Sequence, residues 1–424
     1  MKAKLALIAL AGLSLLWPKA SAHAALREWD GDASMDNKWT TSVNWAGNIA
    51  PNPGDSLLFM SGQRHPNNNN DFPDGTTFDS IEFRGGGGAG YNVSGNTIAL
   101  NAGLRVENNS GNSIDHTVNN SLLLNSNQTF TVLNPVGTIF LPGTINLNGK
   151  GLRFDVSSAS EARAQGVISG TGGVLKTGAG LLTLTANNTY TGATALSAGT
   201  LQINGSQPAS PVVLGAGALK GIGTVGTLTA VGNGGPGSIL LSPGGSPGIL
   251  TCSNVALKAS TTLAVELNGT TPGGSYDQLS VNGSVALNNA VLSVTLGFTP
   301  ALGDSFTIIN NDGVDAVAGR FSGLPQGATF VVGTTQFQIN YAGGNGNDVV
   351  LTRIVALEIE RVSTNAVRLL WPTNDTAAFN LECNTNLATV NWVLASPPPT
   401  VVGTKKVVTN TFPPTQKIYR LHKP

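Results

Sequence analysis

Charge is scarce in this chain of 424 residues, of which only 11% are Asp, Glu, Lys or Arg. The 23 basic side chains balance the 23 acidic ones, so the formal net charge is zero, and no Lys/Arg-rich tract is present. Nucleic-acid binding needs a positive surface, because its phosphate contacts are electrostatic. The composition therefore excludes that class of protein and predicts no nucleic-acid partner.

Cysteine is rarer still, with only Cys252 and Cys383 in the whole chain. Two cysteines exclude a disulfide-rich scaffold and a Cys-rich metal module. The two lie in different predicted domains, and we expect buried free thiols. No two histidines have the spacing of a zinc pair, and His116, in an Asn-rich stretch, is predicted to be solvated. The sequence predicts no cofactor.

Long apolar runs are confined to the beginning of the chain. Lys2 and Lys4 precede a short apolar stretch that ends before Pro18, and small residues at Ala22 and Ala24 follow it. This order is typical of an export signal, which we assign to residues 1–24 with cleavage near Ala22 or Ala24. We expect no transmembrane segment in the mature chain, and a secreted or outer-surface location.

Helical periodicity is also missing after residue 24, and apolar residues alternate with polar ones instead. Leu182 and Leu184 alternate with threonine, and Leu201 and Ile203 repeat the pattern 19 positions later. Strands that return about every 20 residues indicate a solenoid, in which each coil buries one face against the next. We therefore expect all four side chains to point inward.

One segment carries a recognisable motif. Residues 166–204 read GVISGTGGVLKTGAGLLTLTANNTYTGATALSAGTLQIN, and this order resembles the autotransporter-associated β-strand repeat. The later segments LSPGGSPGIL, SYDQLSVNGSV and YAGGNGNDVVLT are similar to segments of exported passenger proteins. The resemblance implies a right-handed parallel β-helix outside the cell, and it implies no reaction because the repeat is structural. No run of alternating strands for a membrane barrel follows, so no barrel domain is expected.

These observations predict an all-β protein with five segments. They are the export signal at 1–24, an N-terminal β cap at 25–95, a β-helix at 96–352 that includes the repeat at 166–204, a linker at 353–355, and a small β-sandwich at 356–424. Apolar clusters separated by proline pairs indicate the sandwich, which resembles the immunoglobulin-like tail of many exported proteins. We expect a monomer.

A calcium motif lies near the end of the predicted β-helix. The stretch GGNGNDVV, which contains Asp348, fits the nonapeptide of calcium-binding β-rolls. A single copy supplies too few oxygens for a cation that takes six to eight ligands. The preferred interpretation is a turn in which Asp348 caps backbone N–H groups, and a calcium ligand is the alternative.

The remaining candidates for chemistry are three tryptophans, one serine and one carboxylate. Trp29, Trp39 and Trp45 could stack on sugar rings, but aromatic side chains more often fill the core of a small cap. GGSPG, with Ser246 at its centre, fits a nucleophile motif without the helix and histidine that it needs, so a turn is predicted. Glycoside hydrolysis needs two facing carboxylates, and the central coils offer only Glu266. No catalytic residue is predicted.

The sequence favours an exported structural or adhesive protein of the cell surface or matrix, without enzymatic activity. Its expected partners are surface polysaccharide or other cells. Two alternatives remain, a carbohydrate-active β-helix enzyme such as a polysaccharide lyase or hydrolase, and a carbohydrate-binding protein that uses the N-terminal tryptophans. A groove with several carboxylates would favour the enzyme, and exposed coplanar tryptophans would favour the sugar binder.

Overall fold

The computed structural model of the chain describes residues 25–422, except 35, 86, 108–112, 134–136, 374–378, 387 and 412–416. The export signal predicted at 1–24 lies outside the described residues. The regular structure is almost entirely β-strand, with two short 3-10 helices at Ser42–Asn44 and Ala46–Asn48. Among the described residues, no helix has the length and hydrophobicity that crossing a bilayer requires.

The strands are short and are separated by turns rich in Gly, Asn and Ser. The first strands are β1 (Leu26–Trp29), β2 (Ser56–Met60), β3 (Asn67–Asn70), β4 (Thr76–Arg84), β5 (Asn92–Gly95), β6 (Ile98–Glu107), β7 (His116–Val118), β8 (Leu122–Leu124), β9 (Gln128–Leu133), β10 (Thr138–Leu141), β11 (Ile145–Asn146), β12 (Leu152–Val156), β13 (Glu161–Ala164), β14 (Ile168–Ser169), β15 (Val174–Thr177), β16 (Leu181–Leu184), β17 (Thr194–Leu196), β18 (Thr200–Ile203), β19 (Ser206–Gln207), β20 (Val212–Leu214), β21 (Gly217–Gly221), β22 (Thr224–Val225) and β23 (Leu228–Ala230). The later strands are β24 (Ile239–Pro243), β25 (Ile249–Cys252), β26 (Val255–Ala256), β27 (Thr261–Leu267), β28 (Gln278–Val281), β29 (Val285–Ala286), β30 (Val291–Leu296), β31 (Ser305–Asn311), β32 (Thr329–Val332), β33 (Thr335–Gly343), β34 (Asp348–Ile354), β35 (Glu358–Ser363), β36 (Ala366–Pro372), β37 (Asn380–Asn384), β38 (Val393–Leu394), β39 (Thr400–Val402), β40 (Lys405–Thr411) and β41 (Ile418–His422).

The chain forms two compact units that divide between Leu241 and Ser242, with Thr251–Ser253 belonging to the first. In the first unit, strands of successive coils pair in parallel. One sheet runs β1-β2-β4-β6-β9-β12-β15-β17-β20-β23, a second runs β3-β5-β7-β10-β13-β16-β18-β21, and a third contains β19 and β22. This topology confirms the predicted parallel β-helix.

The register of the second sheet confirms the spacing on which the prediction rested. Leu182 pairs with Leu201, and Leu184 pairs with Ile203, in a parallel ladder. All four side chains are completely buried. Because alternate residues of a strand point to opposite faces, the intervening Thr183 and Gln202 lie on the outer face of the sheet.

Coil length is not constant in the first sheet. One buried inner row consists of Leu104, Phe130, Phe154, Lys176, Leu196, Leu214 and Ala230. Successive members are 26, 24, 22, 20, 18 and 16 positions apart. The predicted period of about 20 residues therefore describes only the middle coils.

The parallel ladder begins earlier than the predicted β-helix at 96–352. Leu26–Trp29 pairs with Ser56–Phe59 in the first sheet, and β2 in turn pairs with β4. Asn67–Asn70 likewise pairs in parallel with β5 in the second sheet. The segment 25–95, predicted as a cap, is thus built from the same kind of parallel coil as the rest of the unit.

The second unit starts with parallel coils and then reverses direction. Leu263 pairs with Leu292, and Leu279 pairs with Ile309, in parallel ladders with longer coils than before. After β31 the pairing becomes antiparallel in the order β31-β34-β33-β32. The β-helix was predicted to continue to residue 352, but these antiparallel strands form the last part of that range. β34 pairs with the edge of β31 that would otherwise be open.

The final strands form two antiparallel sheets with the orders β35-β36-β40-β39 and β38-β37-β41. Buried side chains from both sheets pack together, and they are Leu369, Trp371, Phe379, Leu381 and Val408. Two antiparallel sheets with a shared apolar core agree with the small β-sandwich predicted at 356–424.

Candidate functional site

The three N-terminal tryptophans belong to the core. Trp29, Trp39 and Trp45 have no exposed surface, and the rings of Trp29 and Trp45 meet edge to face with centroids 5.2 Å apart. Each indole N–H donates a hydrogen bond inside the protein, to the Arg64 carbonyl, to Asn68 Oδ1 and to the Trp39 carbonyl respectively. Stacking on a sugar requires a free ring face, which none of the three has. The structure thereby corrects the alternative that these residues form a sugar platform.

Asp348 lies at the first position of β34 and is almost completely buried. Its Oδ1 accepts a hydrogen bond from the backbone N–H of Asn311 at 2.9 Å. The neighbouring Asn347 donates through Nδ2 to the Gly313 carbonyl at 2.7 Å. In the described ranges, no three His, Cys, Asp or Glu side chains come together as metal ligands do. The carboxylate therefore has an evident structural role, which is to hold the start of β34 against the end of β31.

Ser246 sits in the turn of the GGSPG motif with a left-handed backbone conformation, φ 77°. Its hydroxyl donates a hydrogen bond of 2.6 Å to Glu266 Oε2. Beneath the turn, the buried Asp277 accepts from the N–H groups of Gly248 and Glu266 at 2.9 and 3.0 Å. Burial raises the pKa of Asp277 above its usual range, and the charge of Glu266 adds to the effect.

A serine hydrolase would need a base and a group that orients it, and only part of that arrangement is present. The described histidines, His65, His116 and His422, contact Ala33, Tyr91 and Glu382 rather than Ser246. Sequence reasoning identified Ser246 and Glu266 separately but missed Asp277, which lies in the segment SYDQL, 29 positions after Gly248. The hydrogen bond between the Ser246 hydroxyl and the Glu266 carboxylate is the contact of the second unit that most resembles a nucleophile beside a base.

His116 is buried in the inner row of the second sheet, which corrects the prediction of a solvated side chain. Its ring stacks on Phe83 with centroids 4.7 Å apart, and its Nδ1 accepts a hydrogen bond from the Tyr91 N–H. Burial lowers the pKa of His116 from 6.5 to about 4, so the ring is neutral at pH 7. The polar neighbours in sequence suggested exposure, but the alternation of the strand places the ring inside.

The two cysteines are free and buried, as predicted. Burial raises the pKa of the Cys252 thiol to about 12. A thiol that keeps its proton at neutral pH is a poor nucleophile, because the thiolate is the reactive form. Cys252 is therefore a packing residue.

Lys176 occupies an inner position of the repeat, between Phe154 and Leu196 in the ladder, and has no exposed surface. Its Nζ donates to the carbonyls of Thr177 and Gly178 at 2.6 and 2.7 Å, and to that of Ala198 in the next coil at 3.3 Å. Burial lowers the pKa of Lys176 from 10.5 to about 8, and nearby Asp155 opposes this effect. The ammonium thus links two coils from inside the β-helix.

Several charged side chains on the outer faces of the first two sheets form ion pairs. The ion pairs are Arg84–Glu82 at 2.8 Å, Arg105–Glu82 at 3.4 Å, Arg105–Glu107 at 2.8 Å, Arg153–Asp155 at 3.5 Å and Arg163–Glu161 at 2.7 Å. Partly exposed pairs of this kind add little stability, since water screens them. Where these pairs lie, the outer surface is polar and its opposite charges balance each other.

One open groove of about 380 Å³ lies where β10, β13, β16 and β18 begin, and it is lined by the first residues of these strands and by residues of the preceding turns. Four outward side chains in register cross it from strand to strand, namely Thr138, Glu161, Leu181 and Thr200. Ser160 borders the same groove, but its Oγ is buried. We take this groove as the candidate binding site, because it combines a carboxylate, hydroxyl groups and an apolar surface on the repeat coils.

Comparison with known proteins supports the assignment of the repeat. The model of the passenger-associated transport repeat family matches residues 174–203, inside the repeat predicted at 166–204. An extracellular serine protease of Serratia marcescens is 31% identical over 216 residues, which cover 48% of this chain and 20% of that protein. The adhesin BmaC autotransporter of Brucella suis biovar 1 (strain 1330) is 36% identical over 107 residues, or 24% of this chain and 3% of that protein.

The chain therefore spans a fifth or less of the length of these two relatives. The matched repeat is named for passenger transport, and one of the two relatives is named as an autotransporter. Both comparisons therefore point to autotransporter passengers. The chain carries a passenger-associated transport repeat within a parallel β-helix and resembles autotransporter passenger segments.

Proposed function

We propose that this protein is exported and acts as a non-catalytic β-helical scaffold that makes structural or adhesive contacts at the bacterial surface. The observation that carries the proposal is the continuous parallel ladder of the first unit, with a buried inner row and an outer face of paired charges and short polar side chains. The passenger-type repeat supports export, and the named adhesin relative supports a role in attachment.

The outer face suits contact with a long polymer. Parallel coils place equivalent side chains at intervals of about 4.8 Å, so weak contacts recur along the sheet. Several weak contacts to one polymer add up through effective concentration, which gives useful binding without a deep pocket. A polysaccharide of the cell surface or matrix is the partner that this surface fits.

Cell fractionation tests export. The full chain would be expressed in a Gram-negative host, and a version without residues 1–24 would serve as the control. We expect the full chain in the medium or at the outer surface, where added protease digests it on intact cells, and the control inside the cell. A full chain that stays in the cytoplasm would contradict the proposal.

Attachment is tested with the same cells. Those that display the chain should adhere to a polysaccharide-coated surface more strongly than cells expressing the control. Adhesion that is equal in the two strains would count against the adhesive role and leave the structural one.

Hydrolysis at Ser246 is a second candidate function, favoured by the 2.6 Å contact between its hydroxyl and Glu266. The carboxylate would accept the hydroxyl proton when the oxygen attacks a substrate carbonyl. The serine protease among the relatives supports testing this reaction. A fluorophosphonate probe should label the wild type and not Ser246→Ala if the serine is a nucleophile, whereas a scaffold gives no labelling in either.

A further inference from the structure

We infer that β30 is a self-association site, at which two copies of this chain pair through their β30 strands in antiparallel order. This inference goes beyond the proposed surface function and does not depend on it. β30 (Val291–Leu296) is the end strand of its sheet, with β27 on one side and no hydrogen-bonded strand among the described residues on the other. An open strand edge can accept a strand from another chain, because its backbone groups lack partners within the sheet.

The coil that would cover this edge begins but does not continue. Ala318 forms a parallel bridge with Ala286 of β29, and the Ser322 N–H donates to the Ala290 carbonyl, so a new coil starts beside the preceding one. The following strand, β32, lies near β30 but pairs with β33. In the described part of the chain, β30 is therefore left without the parallel neighbour that coil stacking gives to β27.

The inner row of side chains changes from buried to partly exposed at this strand. The inner side chains of β27 have no exposed surface, and they are Leu263, Val265 and Leu267. Their register partners in β30 are only half-buried, and they are Leu292, Val294 and Leu296. Because the next coil of a solenoid covers the inner side chains of the one before, the partial exposure marks the place where that cover is incomplete.

β30 lacks the features by which proteins protect exposed edges, which include charged side chains, proline and very short strands. It has six residues, VLSVTL, with neither a charge nor a proline. The end strands β1, β35 and β41 carry charged side chains. The uncharged end strands β3, β19, β29, β32, β38 and β39 have four residues or fewer. Of these sheet ends in the described ranges, β30 is thus the one most open to pairing.

The backbone geometry decides which groups of β30 face the open edge. The Gly297 N–H donates to the Leu267 carbonyl, which fixes the phase of the parallel ladder. Residues that bond to the neighbouring strand alternate with residues whose N–H and C=O point away from it. Ser293 and Thr295 therefore bond to β27. The residues whose backbone groups face the open edge are Leu292, Val294 and Leu296.

This arrangement is self-complementary about Val294. With a two-fold axis at Val294, Leu292 lies opposite Leu296 of the second copy, and Ser293 lies opposite Thr295 of the second copy. Each edge-facing residue then meets another edge-facing residue, so the two can exchange N–H···O=C hydrogen bonds. Apolar side chains meet apolar ones and hydroxyl groups meet hydroxyl groups, which are favourable cross-strand pairs.

Charge does not oppose this pairing. Glu266 is the only charged side chain of β27 and β30. In the paired copies, β27 would lie three strand spacings from its counterpart, about 14 Å, so the two Glu266 carboxylates are farther apart than the Debye length of about 8 Å. Each copy has one β30 edge, and an isologous contact uses both edges, so association closes at the dimer.

The test uses the exposed outer residues Ser293 and Thr295, which lie opposite each other across the two-fold axis. Ser293→Lys/Thr295→Lys places lysine opposite lysine at both positions. Ser293→Glu/Thr295→Lys is the matched control, because it changes the same two residues but places glutamate opposite lysine. Both variants put the same lysine beside Glu266 within the chain. Because these side chains are exposed, both variants should keep the melting temperature of the wild type within a few degrees.

Sedimentation equilibrium of the purified full chain between about 0.5 and 50 µM, in about 0.15 M salt, measures the dimer dissociation constant. We expect the wild type and Ser293→Glu/Thr295→Lys to form dimers of similar affinity. Ser293→Lys/Thr295→Lys should dimerise at least about tenfold more weakly, because like charges directly opposite each other repel. A wild type that is monomeric throughout this range would overturn the inference and keep the expectation of a monomer.

Equal dimerisation of the two double variants, or growth of the wild type beyond the dimer, would also overturn the inference. Val294→Pro is a second variant, for use if the lysine variant fails to fold. It removes an N–H that faces the open edge and is not needed by β27, and proline is tolerated on such edges. A folded Val294→Pro chain should be monomeric at concentrations where the wild type is a dimer, and a dimer of this variant would refute pairing through β30.

Discussion

Replacement of Leu184 by alanine tests the central feature of the β-helix, its inner row. Leu184 is completely buried and stands in register between Ala164 in the preceding coil and Ile203 in the following one. Ala164 is too small to fill the resulting cavity, and Ile203 is stiff because it is branched at Cβ. Buried Leu→Ala substitutions cost about 2–5 kcal/mol, and the cost is greater where the site cannot collapse.

We expect Leu184→Ala to lower the free energy of unfolding by about 3–4 kcal/mol, because hydrogen bonds to both neighbouring strands hold the backbone of β16 in place. Leu184→Asp should cost more, since it adds an unpaired buried charge. Urea unfolding followed by circular dichroism measures both losses.

The control is Leu181→Ala, on the same strand but on the outer face, where the side chain is partly exposed. Its loss should stay below about 1 kcal/mol. Equal losses for Leu181→Ala and Leu184→Ala would refute the assignment of inner and outer faces.

Three further predictions concern buried polar groups. Between about pH 8 and 10.5 the unfolded chain keeps the proton on Lys176, whereas the folded chain has released it. The free energy of unfolding of the wild type should therefore rise with pH across this range, by up to about 3 kcal/mol relative to Lys176→Met. Urea unfolding midpoints measured at several pH values check this. As the pH falls from about 6.5 to 4, protonation of His116 in the unfolded chain should lower wild-type stability, and His116→Phe should flatten this fall in acid unfolding curves. Asp348→Ala should lower the free energy of unfolding by about 1–2 kcal/mol, because it removes the hydrogen bond from the Asn311 N–H, and the loss should be the same with and without millimolar calcium. If calcium raised the melting temperature of the wild type and Asp348→Ala abolished that gain, Asp348 would be a metal ligand instead.

The sequence predicted the β-helix and its inward leucines because period-two alternation and a recurring spacing are direct consequences of stacked strands. Leu182, Leu184, Leu201 and Ile203 obey both rules, and the family match at 174–203 falls on the same strands. What the sequence could not predict is which polar residues lie inside. Lys176 occupies an inward position, yet lysine is almost never fully buried without partners, and those partners are backbone carbonyls that no sequence pattern displays.

The candidate site was equally hidden. Ser160, Glu161 and Thr200 lie on three segments that composition does not connect, and only the register of β13, β16 and β18 brings them to one groove. For the tryptophans the preferred interpretation, packing in a core, agrees with their burial, and the alternative of a sugar platform does not. The alternative stayed open in the sequence because the same residue type fills a core or stacks on a sugar ring, and burial distinguishes the two.

The shortening of the coils explains why a fixed period describes only part of the chain. From Leu104 to Ala230 each coil of the first sheet is two residues shorter than the one before it, and the last three inner side chains of the row are Leu196, Leu214 and Ala230. A shorter coil encloses a smaller cross-section, and a close-packed interior accepts only the side-chain volume that fits. In the narrowest coils of the row the inner position accordingly holds leucine and then alanine. The repeat matched at 174–203 lies where successive coils differ from 20 residues by no more than two, so the matched motif and the predicted period of about 20 residues fall on the same coils.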